Sequence, residues 1–410
     1  MVKKLLRFFL IIFIGFPISV IVKTLNPIIC IRFGQLHASR IGHFALDFGI
    51  YLSNKSNQTK KTIDIFTVPK PICNYYFLEY IKRHIFVVNP ISFIIETLKF
   101  FPNPSKNIIT PSIETSQSFD NRRALSKSKN KLAFTNKENE KGYNFLSSIG
   151  CFDINKLVCM NIRDSAYLQN TYSNETLVSY HSYRDSDIED YRLGVMSLID
   201  RGYFVIRTGK FANKKLDIDH QNFLDYPFGE LKSEFLDIWL MANCRFCISS
   251  SNGLECISDI FNVPILFINA SPIGHINSWS KNCIWMPKII VDKKTTRLIS
   301  LKEQISMGII NLSKCNELKM TFSEYLNTLG LEIQNNSKEE INNTFIEFLD
   351  KIENKSDQNK KDLNFHYDFW SILRTWKEFN NYHHFNIEEQ YGVLSNTFIN
   401  KYGKRFLENE

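Results

Sequence analysis

The sequence predicts an α/β fold built from two Rossmann-like, doubly wound domains that face each other across a cleft. Short apolar runs alternate with amphipathic stretches in two series, at 25–150 and 151–345, and a polar loop at 102–131 interrupts the first series. Such alternation is typical of parallel sheets with crossover helices. The 410 residues suffice for two cores. An N-terminal hydrophobic helix at 1–24 and a linker with a C-terminal helical tail at 346–410 complete the predicted organisation.

The amino-terminal segment has the pattern of a membrane anchor. Lys3, Lys4 and Arg7 precede an apolar run from Phe8 to Val22, which Pro17 interrupts. A membrane-spanning helix needs about 20 apolar residues, so this run is short. No small-x-small cleavage site follows it. We expect a retained anchor that holds the protein on the cytoplasmic face of the inner membrane. If the segment spans instead, the leading cations place the body outside.

Composition excludes some classes of protein. The net charge of +8 is spread along the chain, and the basic runs at 127–131 and 355–361 are typical of solvated loops, so no nucleic-acid partner is indicated. The nine cysteines are odd in number and stand mostly in apolar runs, which indicates reduced core residues of a cytosolic chain. Cys244 and Cys247 form a CxxC pair, but no second pair or nearby histidine completes a zinc set.

The first series begins with a strand at Pro27–Phe33, followed by a helix over HASRIGHFALDFGIYLSN with one apolar stripe. Strands at Thr62–Val68 and His84–Val88, with a helix at Tyr75–Ile81 between them, continue the pattern. This βαβαβ order predicts a first parallel sheet.

The first strand-to-helix junction carries candidate acceptor-side residues, Arg40 and Gly42, next to His43. A neutral imidazole that titrates near pH 7 can take a proton from a hydroxyl group, so His43 is a candidate general base. Asp47, one helical turn further on, would orient the ring or be the base itself. The alternative is that His43 only caps the helix.

Helix-capping patterns mark the last helix of the first series and two helices of the second. Boxes of the form Ser/Thr-x-x-Glu start at Thr135, Ser186 and Ser337. The strands that we predict in this series are KLVCMNI, YFVIRTG, RFCI, PILFINA and KIIV. This alternation predicts a second parallel sheet.

The turn after the strand RFCI is the most informative feature of the chain. Ser250, Ser251, Asn252 and Gly253 open a helix there, so free backbone N–H groups and the helix dipole favour an anionic group. The alternative is that Ser and Asn only cap the helix.

Other residues predict the surroundings of this turn. Arg207 ends the preceding strand with Gly209 close behind it, which would leave a guanidinium free for a diphosphate. Arg163 follows the first strand of the series and would neutralise the same diphosphate or form a hinge ion pair with Asp164. Glu255, in the first turn of the helix, would reach ribose hydroxyls.

Two further motifs are weaker indicators of a functional site than the Ser-rich turn. Asp185 and Asp187 have the DxD spacing that holds Mg²⁺ or Mn²⁺ in another transferase architecture, but they coincide with a helix cap, so no metal is expected. His275, in the loop GHINSW after PILFINA, is a second candidate catalytic histidine.

Four sequence blocks carry a resemblance to a known family. In order between Ile31 and Asn269, they are IRFGQLHASRIGHFALDFGIYL, CMNIRDSAYL, SYRDSDIEDYRLGVMSLIDRGYFVIRTGK and EFLDIWLMANCRFCISSSNGL. They resemble the signature blocks of a family of bacterial GT-B-type glycosyltransferases associated with surface-polysaccharide biosynthesis. The resemblance implies an acceptor domain first, a nucleotide-sugar domain second, and a nucleotide-sugar donor.

We therefore expect a glycosyltransferase that moves a sugar from a nucleotide-diphosphate donor to a hydroxyl of a lipid-linked surface polysaccharide or lipopolysaccharide, without a cofactor. Its partners would be the donor, a glycan or glycolipid acceptor and the inner-membrane surface. One alternative is a polysaccharide pyruvyl-type transferase. Another is a non-catalytic nucleotide-sugar-binding partner in a polysaccharide assembly complex.

Overall fold

The computed structural model describes residues 2–55, 62–109, 119–128, 132–171, 182–280, 282–354, 360–384, 386, 388 and 391–408. The chain divides into two compact units. Unit 1 comprises Met1–Phe119 with Lys127–Lys131, and unit 2 comprises Asp120–Ser126 with Leu132–Glu410. Each has a main sheet of parallel strands whose order reverses direction, which confirms the predicted α/β class with two doubly wound sheets.

Unit 1 contains a four-stranded sheet in the order β3-β2-β1-β4. The strands are β1 (Cys30–Gln35), β2 (Thr62–Thr67), β3 (Phe86–Val87) and β4 (Ile108–Ile109). The helices are α1 (Val2–Phe9), a π-helical stretch at Leu10–Gly15, α2 (Phe16–Leu25), α3 (Ile41–Lys55), α4 (Tyr75–Lys82), α5 (Ser92–Leu98) and a 3₁₀ turn at Pro104–Lys106. The first strand begins three residues later than predicted, because α2 and a turn occupy the chain up to residue 28.

A buried ion pair joins the two central strands of this sheet. Arg32 of β1 and Asp64 of β2 are register partners. The guanidinium donates to both carboxylate oxygens at 2.7 Å, and the Tyr51 hydroxyl of α3 donates to the same carboxylate at 2.7 Å. Burial alone raises the pKa of Asp64, but the hydrogen bonds from Arg32 and Tyr51 prevail and lower it.

Unit 2 contains a seven-stranded parallel sheet in the order β13-β10-β9-β8-β5-β6-β7. Its strands are β5 (Leu157–Asn161), β6 (Phe204–Arg207), β7 (Phe223–Asp225), β8 (Phe246–Ser249), β9 (Ile265–Ala270), β10 (Cys283–Pro287) and β13 (Val393–Leu394). The strands β5, β6, β8, β9 and β10 are buried along their whole length, as expected for a sheet that helices cover on both faces.

The helices of unit 2 connect these strands and form the tail. They are α6 (Ala124–Lys127), α7 (Asn136–Ser148), α8 (Ala166–Thr171), α9 (Arg192–Asp200), α10 (Glu234–Asn243), α11 (Glu255–Ile260), α12 (Leu301–Ser306), α13 (Ser313–Leu318), α14 (Phe322–Thr328), α15 (Lys338–Ile352), α16 (Lys360–Leu373), α17 (Phe379–Tyr382) and α18 (Asn396–Leu407). Short 3₁₀ turns lie at Ile154–Lys156, Ser182–Arg184, Ile188–Tyr191, Tyr226–Phe228 and Ile273–His275. The tail residues Phe369, Trp370 and Trp376 are buried, so these aromatic side chains pack the tail within unit 2.

Two of the three predicted helix caps have the expected form. The capping boxes at Thr135 and Ser337 are present as predicted. The box predicted at Ser186 differs: the Asp187 carboxylate caps the element there, and this element starts as a 3₁₀ turn. The predicted strand KIIV is also placed differently: as β11 (Ile289–Asp292) it pairs antiparallel with β12 (Leu331–Gln334) in a separate sheet.

Candidate functional site

The strand order of unit 2 defines where a ligand site is expected. From β5 the chain adds β6 and β7 on one side and then returns to place β8 on the other side. The order of an open α/β sheet reverses at such a point, and ligands bind in the crevice at the carboxyl ends of the strands there. Asn161 at the end of β5 is the register partner of Ser249 at the end of β8.

The residues that follow β5 and β8 are joined at this switch point. The Ser250 hydroxyl accepts a hydrogen bond from the Arg163 backbone N–H at 2.7 Å. The Asn252 side-chain amide donates to the Asn161 carbonyl at 3.1 Å. Gly209 lies beside Asn161, and its φ of 135° is in the region that favours glycine. The structure therefore brings together Arg163 and the Ser-rich turn, two of the predicted donor-binding elements.

The turn itself is less open to an anion than the sequence suggests. The Glu255 carboxylate is 5% exposed and accepts hydrogen bonds from the Gly253 N–H at 2.7 Å and the Ser249 hydroxyl at 3.1 Å. Ser251, at φ 62°, directs its N–H to the Ser249 hydroxyl oxygen at 3.0 Å. Glu255 thus folds back onto the turn instead of pointing outward to a ribose, because these buried donors need an acceptor.

The environment of the Arg207 side chain differs more strongly from the prediction. Its guanidinium is not free: the residue is 2% exposed and donates to the Lys214 carbonyl at 2.6 Å and to Asp225 at 3.3 Å. A second carboxylate, Asp164, lies 3.7 Å away. A buried arginine needs such partners. Arg207 therefore holds β6, β7 and the following loop together, and the expectation of a free cation beside the turn is wrong.

Two other cations contact Asp185 near the switch point, and a third stands next to it in the chain. Arg163 Nε lies 3.3 Å from the Asp185 carboxylate, and Lys288 Nζ donates to the Asp185 carbonyl at 2.7 Å. Arg184 directly precedes Asp185 in the chain; its guanidinium donates to the Tyr183 hydroxyl at 2.9 Å and acts electrostatically on Arg163. Lys288 follows β10 and is 9% exposed. We name Arg163, Arg184 and Lys288 the cationic cluster.

The cations of the cluster are poorly solvated, and they repel one another. Burial lowers the pKa of Lys288 to about 8, although Asp185 opposes the shift. Burial also lowers the pKa of Arg163, and the charge of Arg184 lowers it further. For both groups the positive form is disfavoured, so a bound anion at this position would stabilise it.

Sequence reasoning missed Arg184 and Lys288. The available signal for Lys288 was a basic residue at the end of the apolar run CIWMP, which is the same signal that identified Arg163.

The DxD pair does not converge on one point. Asp185 faces Arg163 and Lys288, whereas Asp187 accepts a hydrogen bond from the Glu189 N–H and pairs with Lys214 at 2.8 Å. Across the described ranges, no group of three or more His, Cys, Asp and Glu side chains is placed to hold a metal ion.

His275 lies at the carboxyl end of β9, in the 3₁₀ turn that follows the strand. It is 8% exposed, and its ring stacks on Tyr382 with 5.5 Å between centroids. Burial, together with the charges of Arg184 and His383, holds the pKa of His275 well below its usual range. The imidazole is therefore neutral at pH 7 and packed against the tail.

The acceptor-side candidates lie in unit 1, at the carboxyl end of β1. Here too the sheet order reverses, between β1 and β4. Arg40 is exposed, while Gly42 and His43 are half-buried in the first turn of α3. Asp47 is 1% exposed on the same helix. The four residues thus stand at the switch point of their own sheet.

No family model matches the chain, and no curated protein matches its sequence. Among solved structures, the chain is similar to the ADP-heptose LPS heptosyltransferase II of E. coli, with a TM-score of 0.37 and 12% sequence identity. The alignment covers 62% of this chain and 90% of that one. A similarity of this size does not bear on the activity of the chain.

Proposed function

We propose that the protein is a glycosyltransferase that uses a nucleotide-diphosphate sugar, with the donor diphosphate bound by the cationic cluster. The observation that carries the proposal is the position of Arg163 and Lys288, two largely desolvated cations that both contact Asp185 beside the switch point of a parallel sheet. The sequence blocks that resemble the GT-B-type family support the same activity independently.

The proposed chemistry is a displacement at the anomeric carbon of the sugar. An acceptor hydroxyl oxygen forms the new bond, the bond to the diphosphate oxygen breaks, and the nucleoside diphosphate leaves with the electron pair. Fixed cations at the place where this charge develops stabilise the transition state without reorganisation. Arg163, Arg184 and Lys288 fill that role, while Ser250 holds the Arg163 backbone in place.

For an inverting reaction we propose that the half-buried His43 takes the acceptor proton, because Asp47, at 1% exposed, is too buried to reach a hydroxyl; a retaining reaction needs no such base. The acceptor that we propose is a lipid-linked surface polysaccharide or lipopolysaccharide at the cytoplasmic membrane face.

A thermal-shift series tests the donor site. The full chain is heated with ADP, CDP, GDP or UDP, and we expect one base class to raise the midpoint. Lys288→Met should abolish the shift, whereas Lys294→Met, which removes an equal charge at an exposed position, should retain it. Absence of any response, or an unchanged response in Lys288→Met, would overturn the assignment of the cluster.

A turnover assay separates the enzyme from a binding protein. Nucleoside diphosphate release is measured with the nucleotide sugar of the stabilising base and a glycolipid acceptor fraction. Release that depends on Lys288 supports the glycosyltransferase. Binding without release from any sugar would instead identify the non-catalytic partner that the sequence left open.

A further inference from the structure

The amino-terminal helix presents an exposed apolar face. It runs without a break through α1, the π-helical stretch and α2. Within it, Leu5–Leu25 is long and apolar enough to cross a membrane, with a mean hydropathy of 2.6. Its large apolar side chains that are 42–66% exposed are Leu5, Leu6, Phe8, Phe9, Ile12, Phe13, Ile14, Phe16, Val20 and Ile21. We name this set the apolar face.

The opposite side of the helix is built into unit 1. Ser19 is fully buried, and its hydroxyl lies 2.6 Å from the Thr97 hydroxyl of α5. Thr97 also donates to the Gly15 carbonyl at 3.2 Å. A Cβ at Gly15 would lie 2.9 Å from the Thr97 methyl group, so the two helices touch closely here. Val22 belongs to the same buried apolar cluster as residues of β1 and β4.

These attachments extend along most of the helix. Arg7 pairs with Glu96, the rings of Phe16 and Phe101 are 5.1 Å apart, and Lys23 donates to the Pro102 carbonyl at 2.9 Å. The stretch from residue 7 to 23 measures about 24 Å, against a hydrocarbon core of about 30 Å. A helix that crossed the bilayer would therefore draw α5 and its charged Glu96 into hydrocarbon, at a high cost.

Charge identifies what covers the apolar face. The first 46 residues contain no Asp or Glu but contain six cations. Arg7 and Arg32 pair with Glu96 and Asp64, so Lys3, Lys4, Lys23 and Arg40 carry the net positive charge of this stretch. A leaflet with anionic headgroups complements this pattern. A second copy of the chain would fit poorly, because a two-fold interface on this helix brings cations against cations.

We propose that the apolar face inserts into one leaflet of an anionic phospholipid membrane, with the helix lying in the membrane plane and not crossing it. The insertion holds unit 1 against the headgroups. This inference does not depend on the proposed function.

Vesicle flotation tests the partner. The full chain should float with phosphatidylcholine vesicles that contain one third phosphatidylglycerol. The fraction of protein that floats should be at least tenfold smaller with phosphatidylcholine alone. Phe9→Glu with Phe13→Glu should reduce flotation at least tenfold. The matched control, Phe152→Glu with Leu231→Glu, changes residues that are 83% and 58% exposed in unit 2 and should leave it unchanged. Equal flotation of both double variants, or a stable dimer of lipid-free wild type that the first variant dissociates, would overturn the lipid assignment.

Depth quenching tests the orientation. Tryptophan is placed at Leu6, Phe13 or Ile21 in turn, and quenching by shallow and deep brominated lipids is measured against wild type. In-plane insertion predicts the same shallow depth for all three variants. A crossing helix would place the substituted Phe13 about 10 Å deeper than the other two, and that result refutes the proposal.

Discussion

His383 offers a direct test of how the tail is held on unit 2. The residue is 1% exposed, and its Nε2 lies 3.0 Å from the Gly274 carbonyl while its Nδ1 lies 3.0 Å from the Ser278 hydroxyl. A carbonyl oxygen only accepts, so Nε2 carries the proton and Nδ1 accepts from Ser278. Burial holds the pKa of His383 at about 3, so the ring is neutral in the folded protein.

The pH dependence of the free energy of unfolding follows from the difference between the folded and unfolded pKa values of His383. The unfolded chain binds the proton at the ordinary pKa of about 6.5 and the folded chain only near 3. Stability from the neutral ring is therefore complete above pH 6.5 and is lost as the pH falls towards 3. Between pH 7.5 and pH 5 the unfolding equilibrium constant rises by about 1.5 logarithmic units, which lowers the free energy of unfolding by about 2 kcal/mol.

The assay compares wild type with His383→Gln, which keeps a donor for Gly274 but does not titrate. The five tryptophans, at positions 239, 279, 285, 370 and 376, all lie in unit 2, so their fluorescence follows its unfolding in urea. Wild type should lose about 2 kcal/mol more than the variant between pH 7.5 and pH 5. Parallel pH curves for the two proteins would refute the reasoning, since they would mean that His383 titrates alike in both states.

Three further outcomes are expected. Asp64→Asn leaves the Arg32 guanidinium without its carboxylate and should cost about 2–3 kcal/mol by circular dichroism in urea, while replacing both residues with leucine should recover much of the loss. Gly142→Ala places a Cβ 2.2 Å from the Trp239 ring and should lower the free energy of unfolding by about 2 kcal/mol, although alanine has the better helix propensity. Urea unfolding followed by tryptophan fluorescence measures this loss, and an unchanged midpoint would contradict the contact. Because the pKa of Lys288 is about 8, nucleoside diphosphate affinity should fall about tenfold from pH 7 to pH 9 in wild type and stay level in Lys288→Arg, as calorimetry would show.

Elements with a strong local signal were predictable. The capping boxes at Thr135 and Ser337 satisfy backbone N–H groups within four residues, so their sequence suffices to place them. Long apolar runs such as Ile265–Ala270 likewise appear as buried strands. The short strands Phe223–Asp225 and Val393–Leu394 carried no such signal, because pairing with a neighbour far along the chain is what makes them strands.

The candidate site was predictable only in part. Arg163 and Ser250 lie together because strand order in a parallel sheet brings successive carboxyl ends to one edge, and that order follows from the alternation of elements. The partners of Arg207 were not predictable, since Asp225 belongs to one of the short strands without a signal.

By itself, the sequence determined two α/β series, the starts of the helices with capping boxes and the long apolar strands, because periodicity and capping act within a few residues. Only the tertiary structure decided which of the charged residues at the carboxyl ends of the strands is available to a ligand. Asp225 binds Arg207, Glu255 takes the N–H of the Ser-rich turn, and Asp185 meets Lys288 across 103 positions of sequence. Buried charges and donors must find partners, and which partner is near depends on packing between segments that are distant in sequence.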